Sequence, residues 1–459
     1  MTEPLASAPS VPPELSEQEL SAIREESARA YELDRAHVFH SWSAQEKITP
    51  MVISRAQGSY VFDGEGKRYL DFSSQLVNTN IGHQHPKVVA AIKKQADLLC
   101  TINPAHANAA RSEAARLITE ITPDGLDHVF FTNAGADAVE HAIRMARIHT
   151  GKRKILSRYR SYHGGTTTAI NVTGDPRRFA ADDSSSGVVH FFGPFPYRSE
   201  FHATSPEQET ERALEHLERI IQLEGADTIA AVILESIPGT AGIMVPTLEY
   251  MQGVRNLCTK YGLLYIADEV MVGFGRTGAW FAHHLFDVTP DIITFAKGVN
   301  SGYVPLGGVI MSNEVYANFT DTPYPGGLTY SGHPLACAAA VATINAMREE
   351  GMVENAARLG AEVLKPRLHD IAEKSSIIGE VRGVGMFWAI EFVKDKATRE
   401  PLAPYGGTSP EMNEVVGAVK EHGVLPFVNY NRIHVAPPLN ITEAELNAGL
   451  DIVDKVLTR

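Results

Sequence analysis

Tyr265-Ile266-Ala267-Asp268-Glu269-Val270 and Ile292-Ile293-Thr294-Phe295-Ala296-Lys297-Gly298 are the strings that decide the fold. Each is an apolar run that closes on a charged group. Runs of this length, bounded by turn residues, read as strands buried on both faces of a parallel sheet. A strand ending in Asp268 or Lys297 places that charge at the carboxyl edge of the sheet, where open α/β sheets hold their ligands. An isolated acid or ammonium there is costly, so each needs a partner.

Working outward, the same alternation repeats along the chain. Strand patterns occupy 128–132, 154–157, 229–234, 263–267, 292–296 and 307–311. Helical spacing links Ala138, Ala142, Met145 and Ala146, and again Leu214, Leu217 and Ile221. Strands alternating with helices predict an α/β fold with a mostly parallel, doubly wound sheet. Upstream, Tyr60-Val61-Phe62, Asp63-Gly64-Glu65-Gly66 and Arg68-Tyr69-Leu70 read as a hairpin. Past Ser331 an Ala-rich helix over 333–350 leads to short extended pieces at 385–392 and 432–436, which predict a smaller α+β domain. The expected division is 1–78 (tail, helix and hairpin joining the small domain), 79–338 (large domain) and 339–459 (C-terminal part of the small domain).

The 459 residues carry a net charge of −14, which argues against sequence-independent binding to nucleic acid. Cys100, Cys258 and Cys337 have neither disulfide nor zinc spacing, so a reducing compartment and no metal are expected. No apolar stretch is long enough to cross a bilayer. Residues 2–19 lack the basic start and apolar centre of a signal peptide and predict a mobile tail that turns helical over 20–33. A cytoplasmic protein is the expectation.

The chemistry follows from the two charged strand ends. Pyridoxal phosphate needs a lysine for its aldehyde and a carboxylate for its ring nitrogen. Lys297, set between a buried strand and the turn Gly298-Val299-Asn300-Ser301-Gly302, suits the first role, and Asp268 the second. Phe131-Thr132-Asn133-Ala134-Gly135-Ala136 is a strand, a small-residue turn and a helix start, where backbone N–H groups bind phosphate or an ordinary cap forms. Tyr162, in Tyr162-His163-Gly164, is an aromatic able to stack on a flat ring, and Val270 lies two residues past Asp268. Each string alone has an ordinary structural reading; their order together does not.

These strings resemble the class III aminotransferases, a branch of the fold-type-I pyridoxal-phosphate enzymes. The resemblance runs from Ser59 to Leu457 and is carried most specifically by 267–278 (ADEVMVGFGRTG) and Lys297-Gly298. Tyr162-His163-Gly164, Thr329 to Pro334, and Ala436-Pro437-Pro438-Leu439 agree with it. It implies that Lys297 carries the cofactor and Asp268 meets its ring nitrogen. It implies Tyr162 and Val270 against the ring, His163 beside them, and Gly135 and Ala136 at the phosphate. Thr329 is implied to reach the phosphate of a neighbouring subunit, hence a homodimer or higher homo-oligomer with shared sites. Met271, where ornithine- and 4-aminobutyrate-type members carry glutamine, resembles the ω-amine:pyruvate and taurine:pyruvate branch. Arg432 matches the arginine that class III members use for a substrate carboxylate. Thr240 stands where ornithine-type members carry a glutamate that masks it. Val77, where amine transaminases often place Trp, and Phe427, where some place a mobile arginine, are implied pocket-wall residues. The implied activity is transfer of an amino group from an ω-amino acid or primary amine to pyruvate or another 2-oxo acid by ping-pong turnover. A phospho-lyase acting on an amino-alcohol phosphate is the alternative that the same lysine and aspartate allow.

Overall fold

In the computed structural model, which describes residues 15–183 and 187–458, the two deciding strings lie side by side at the centre of a seven-stranded sheet. In chain order the strands are β1 (Ile53–Gln57), β2 (Tyr60–Asp63), β3 (Arg68–Asp71), β4 (His128–Thr132), β5 (Lys154–Arg158), β6 (Val188–Phe191), β7 (Ile229–Glu235), β8 (Leu264–Asp268), β9 (Ile292–Phe295), β10 (Gly307–Met311), β11 (Ile378–Val384), β12 (Phe387–Asp395), β13 (Glu400–Pro401), β14 (Val424–Leu425), β15 (Phe427–Asn429) and β16 (Arg432–Val435). The large sheet runs β4-β10-β9-β8-β7-β5-β6. Only β10 is reversed, pairing antiparallel with both β4 and β9. The other six strands therefore end on one edge.

Strand alternation splits this sheet's side chains between two cores. Ile233, Ile266 and Ile292 pack with Ala138, Ala142 and Met145 of the helix Gly135–Thr150. Val232, Leu234, Tyr265 and Ile293 pack on the other face with Leu217 and Val254, from the helices Pro206–Glu224 and Leu248–Tyr261. Burial on both faces explains why these strands read as unbroken apolar runs.

The six strands read from sequence are present. The structure adds β6, a four-residue edge strand whose Val-Val-His-Phe is too short to show a period. The expected hairpin is β2–β3, extended by β1 on one side and by β14 on the other. The β14–β3 pairing is parallel, Val424 opposite Leu70. A second small sheet runs β11-β12-β16-β15, with β13 on β12. The helix Pro334–Glu349 runs unbroken across residues 338 and 339, so the expected domain boundary falls inside an element. Most of the expected N-terminal tail lies outside the described residues. The helix Glu17–His37 begins at Ser16, which forms a reciprocal capping box with Glu19. Among the described residues, no helix is long and apolar enough to cross a membrane.

Candidate active site

Five strand ends converge on a cavity of about 370 Å³ whose walls include Gly135, Ala136, Tyr162, His163, Asp268 and Lys297. Gly135 follows β4, Tyr162 follows β5, Glu235 ends β7, Asp268 ends β8 and Lys297 follows β9. The parallel sheet thus brings residues up to 162 positions apart in sequence to one edge.

Asp268 is buried and accepts three hydrogen bonds, which leaves its carboxylate one acceptor site. One carboxylate oxygen accepts from Thr294 Oγ1 and from the Val270 amide, each at 3.1 Å. The other lies 2.6 Å from His163 Nδ1. Burial opposes charge on His163, but the hydrogen bond and charge of Asp268 outweigh it and hold the imidazole above its usual range, with Glu235 and Asp175 adding to the effect. Asp268 is therefore fixed in place, braced by His163.

Lys297 is half-buried and takes a left-handed backbone conformation at φ 44°. Such a conformation costs a non-glycine residue about 1–3 kcal/mol and persists where the surroundings over-determine it. Burial pushes its ammonium down to about 8; Glu235 and Asp268 oppose the shift, and Arg177 and Arg276 add to it. A large share of this amine is neutral near pH 8, as a nucleophile or base requires.

The helix Gly135–Thr150 has no side-chain cap: Ala134 at its N-cap accepts nothing through its side chain. Its first amides thus face the cavity without a protein acceptor of that kind, and such a start suits a phosphate. Gly135 is required there, because a Cβ at that position would lie 2.8 Å from a methyl of Val270. Tyr162 is half-buried, and the Arg177 guanidinium stacks 3.6 Å from its ring centroid, held by Asp175. Val270 and Thr240 also line the cavity.

Glu235 was missed by the sequence reading, although Ile229 to Leu234 is the same apolar run ending in a charge. Its two oxygens accept from the amides of Tyr162 and Gly239, each at 2.9 Å, and it lies in register with Asp268. Burial raises its carboxyl, opposed by His163 and reinforced by Asp268.

Four expected residues do not line the cavity. Val77 is fully buried in the main core. Backbone φ values are positive at Ser74, Gln75 and Val77, and this kink leaves Leu76 and Asn78 as the wall residues instead. Asp71 holds the kink by accepting from Ser73, Gln75 and His83. Phe427 packs its ring 5.1 Å from that of His434. Thr329 is exposed, away from the cavity of its own chain. Arg432 is 4% exposed behind the stretch from Thr240 to Gly242, where a Cβ on Gly242 would lie 3.1 Å from its Nε.

A lowered lysine amine, a braced aspartate, an uncapped helix start and a flat aromatic form a donor set that fits a phosphorylated heterocyclic aldehyde. Comparison with known proteins points the same way. Residues 41–457 match the family described as aminotransferase class-III. The chain is 34% identical to a putrescine–pyruvate aminotransferase of Pseudomonas aeruginosa over 88% of this chain and 90% of that one. It is 34% identical to a taurine–pyruvate aminotransferase of Bilophila wadsworthia over 93% and 96%. Among solved structures it resembles a taurine:2-oxoglutarate aminotransferase of Bifidobacterium kashiwanohense in complex with pyridoxal phosphate and glutamate, with a TM-score of 0.91 and 44% identity over 94% and 97% of the two chains. These likenesses favour amino-group transfer over the phosphate elimination that the same lysine and aspartate allow. The chain belongs to the class III aminotransferases and is a pyridoxal-phosphate-dependent transaminase.

Proposed function

We propose that this transaminase moves an amino group from an ω-amino acid or primary amine to pyruvate or another 2-oxo acid, in two half-reactions at one site. The observation that carries the reading is the meeting of Lys297 and Asp268 at adjacent strand ends in a single cavity. Bound pyridoxal phosphate supplies an aldehyde carbon that receives nitrogen and a ring that draws charge from the neighbouring carbon. Lys297 would hold that aldehyde through its Nζ. Its Nζ, pushed down to about 8 by burial, is the group placed to take a proton from the donor carbon. Asp268, braced by His163, keeps the ring nitrogen protonated. Tyr162, backed by Arg177, and Val270 would confine the ring, and the amides of Gly135 and Ala136 would hold the phosphate. Arg432, the carboxylate partner that the family resemblance implies, stands behind Thr240 to Gly242 rather than in the cavity wall. The donor's nitrogen ends on the oxo acid, and its carbon gains oxygen from water.

The same reading assigns Thr329 to a partner subunit's phosphate, hence a homodimer or higher homo-oligomer, which the exposure of Thr329 supports. It also keeps a small domain made by joining the first and last parts of the chain, which the β3–β14 pairing supports, with its second junction moved out of the helix Pro334–Glu349. The absence of a spanning helix among the described residues is compatible with the expected cytoplasmic setting.

The test is spectroscopic. Purified protein should carry a yellow chromophore that an amine donor bleaches and pyruvate restores. Release of inorganic phosphate from an amino-alcohol phosphate, without need of an oxo acid, is the result that would overturn it.

A further inference from the structure

We propose that Glu235 is a positioning residue of the transamination: its carboxylate ties the Tyr162 loop to the Gly239 turn beside the cavity, and it is the counter-charge of the Lys297 amine before cofactor binds. The inference deepens the transaminase reading above and rests on it.

Glu235 closes β7, the strand between β8, which ends in Asp268, and β5, which leads to Tyr162. It lines the cavity and is 6% exposed. Oε1 accepts from the Tyr162 amide and Oε2 from the Gly239 amide. A carboxylate suits this place because it accepts through both oxygens and donates through neither. A side-chain amide would set an NH2 group against one of the two N–H donors. Both donors belong to the cavity walls. Tyr162 is a wall residue, and Gly239 precedes Thr240, which is another. The turn has no room to adjust, because a Cβ on Gly239 would run into Sδ of Met271, also in the wall. The Gly239 carbonyl closes the turn by accepting from the amides of Gly242 and Ile243, at 2.9 and 3.0 Å. One side chain thus sets the spacing between the aromatic of one loop and the wall carried by the other.

The charge of Glu235 has a separate use. Among the described residues Lys297 forms no ion pair. Glu235 first and Asp268 second oppose the push of burial on its amine, while Arg177 and Arg276 add to that push. Arg177 is matched by Asp175, and Arg276 donates to the carbonyls of Met386 and Pro437. Asp268 is matched by His163 and Thr294. Glu235 is held by backbone amides alone, so its charge is the one left to act on Lys297. Those amides and His163 draw its carboxyl toward the charged form, against burial and Asp268.

The experiment compares the wild type with Glu235→Gln and Glu235→Asp, each checked for folding by thermal melting. Stopped-flow absorbance gives the pH midpoint for uptake of pyridoxal phosphate by the apoprotein, and dialysis gives its release from the loaded protein. Glutamine keeps the reach and loses the charge, so the uptake midpoint should fall by about one pH unit. Aspartate keeps the charge and loses the reach, so its midpoint should stay at the wild-type value. Release should quicken about tenfold in both, since neither serves both amides. A residue that only stabilises the fold would slow uptake at every pH and leave the midpoint where it was. An unmoved or raised midpoint in Glu235→Gln, an equal fall in Glu235→Asp, or unchanged release in both overturns the inference and leaves the transaminase reading intact. Failure of both variants to fold marks Glu235 as a residue of general stability and also overturns the inference. A wild-type apoprotein that takes up no cofactor overturns that reading and the inference together.

Discussion

Asp268 and Arg432 are both charged residues on strands, 3% and 4% exposed, and they are furnished in opposite ways. Asp268 is surrounded by Thr294, the Val270 amide and His163. Nε and Nη2 of Arg432 have no hydrogen-bond partner among the described residues. The first site is nearly complete as it stands; the second has donors to spare. A buried polar group without a partner is expensive, so its persistence in one place and not the other marks where an exchangeable ligand belongs.

That contrast can be broken. On the complete side, every variant should impair all substrates alike. Lys297→Ala should cut turnover by about 10⁴-fold with any donor, measured as steady-state alanine formation from pyruvate, while cofactor still binds by equilibrium dialysis. Donor-dependent losses would refute the assignment. Asp268→Asn keeps the shape and removes the charge that braces His163. It should lower turnover by about 10²- to 10³-fold, again without regard to donor.

The pH dependence sharpens the same side. Only neutral Lys297 attacks an aldehyde, and its cationic form does not. With the amine pushed down to about 8, uptake of pyridoxal phosphate by the apoprotein should climb about tenfold per pH unit below that value and level off above it. A stopped-flow profile still rising toward about pH 10 would mean an ordinary lysine.

The glycines at each site give the smallest effects and the cleanest split. Gly135→Ala drives a methyl into Val270 and should cost about 1–3 kcal/mol in cofactor affinity or stability, read by dialysis and thermal melting. Gly242→Ala brings a Cβ within 2.7 Å of an Arg382 nitrogen and against Arg432, at a φ of 131°. It should raise KM for pyruvate by about tenfold and leave cofactor affinity unchanged. If Gly242→Ala instead loosens the cofactor, the two regions are not separate.

The complete side was the more legible one in sequence. Lys297 and Asp268 show themselves because a strand buried on both faces is apolar throughout, so a closing charge stands out. Glu235 carries the same signature and was passed over. The missing information was its register with Asp268, a tertiary fact. On the open side, little is local. The isolation of Arg432 depends on Arg198 and Arg382 occupying Glu391, and Arg198 lies 193 residues from that glutamate in sequence. Val77 was expected at the pocket wall, but the kink from Ser74 to Val77 is imposed by Asp71 and by the buried Arg276, whose Nη2 reaches Ser74 and Asn80. No propensity scale favours positive φ at serine, glutamine and valine. The strand β1 was equally silent: Ile-Ser-Arg-Ala-Gln has no clear alternation, and its pairing with β2 decides its shape.

The union of β3 with β14 has a consequence for biosynthesis. Lys67 reaches the carbonyl of Glu421 across a separation of 354 residues, at the mouth of that pairing. At about 5–20 residues per second, the ribosome delivers the second partner roughly 20–70 s after the first. Throughout that interval the amino-terminal hairpin has an open edge, a template for foreign strands. The nascent chain can assemble its catalytic sheet during this delay, before it gains the segment that shields the hairpin.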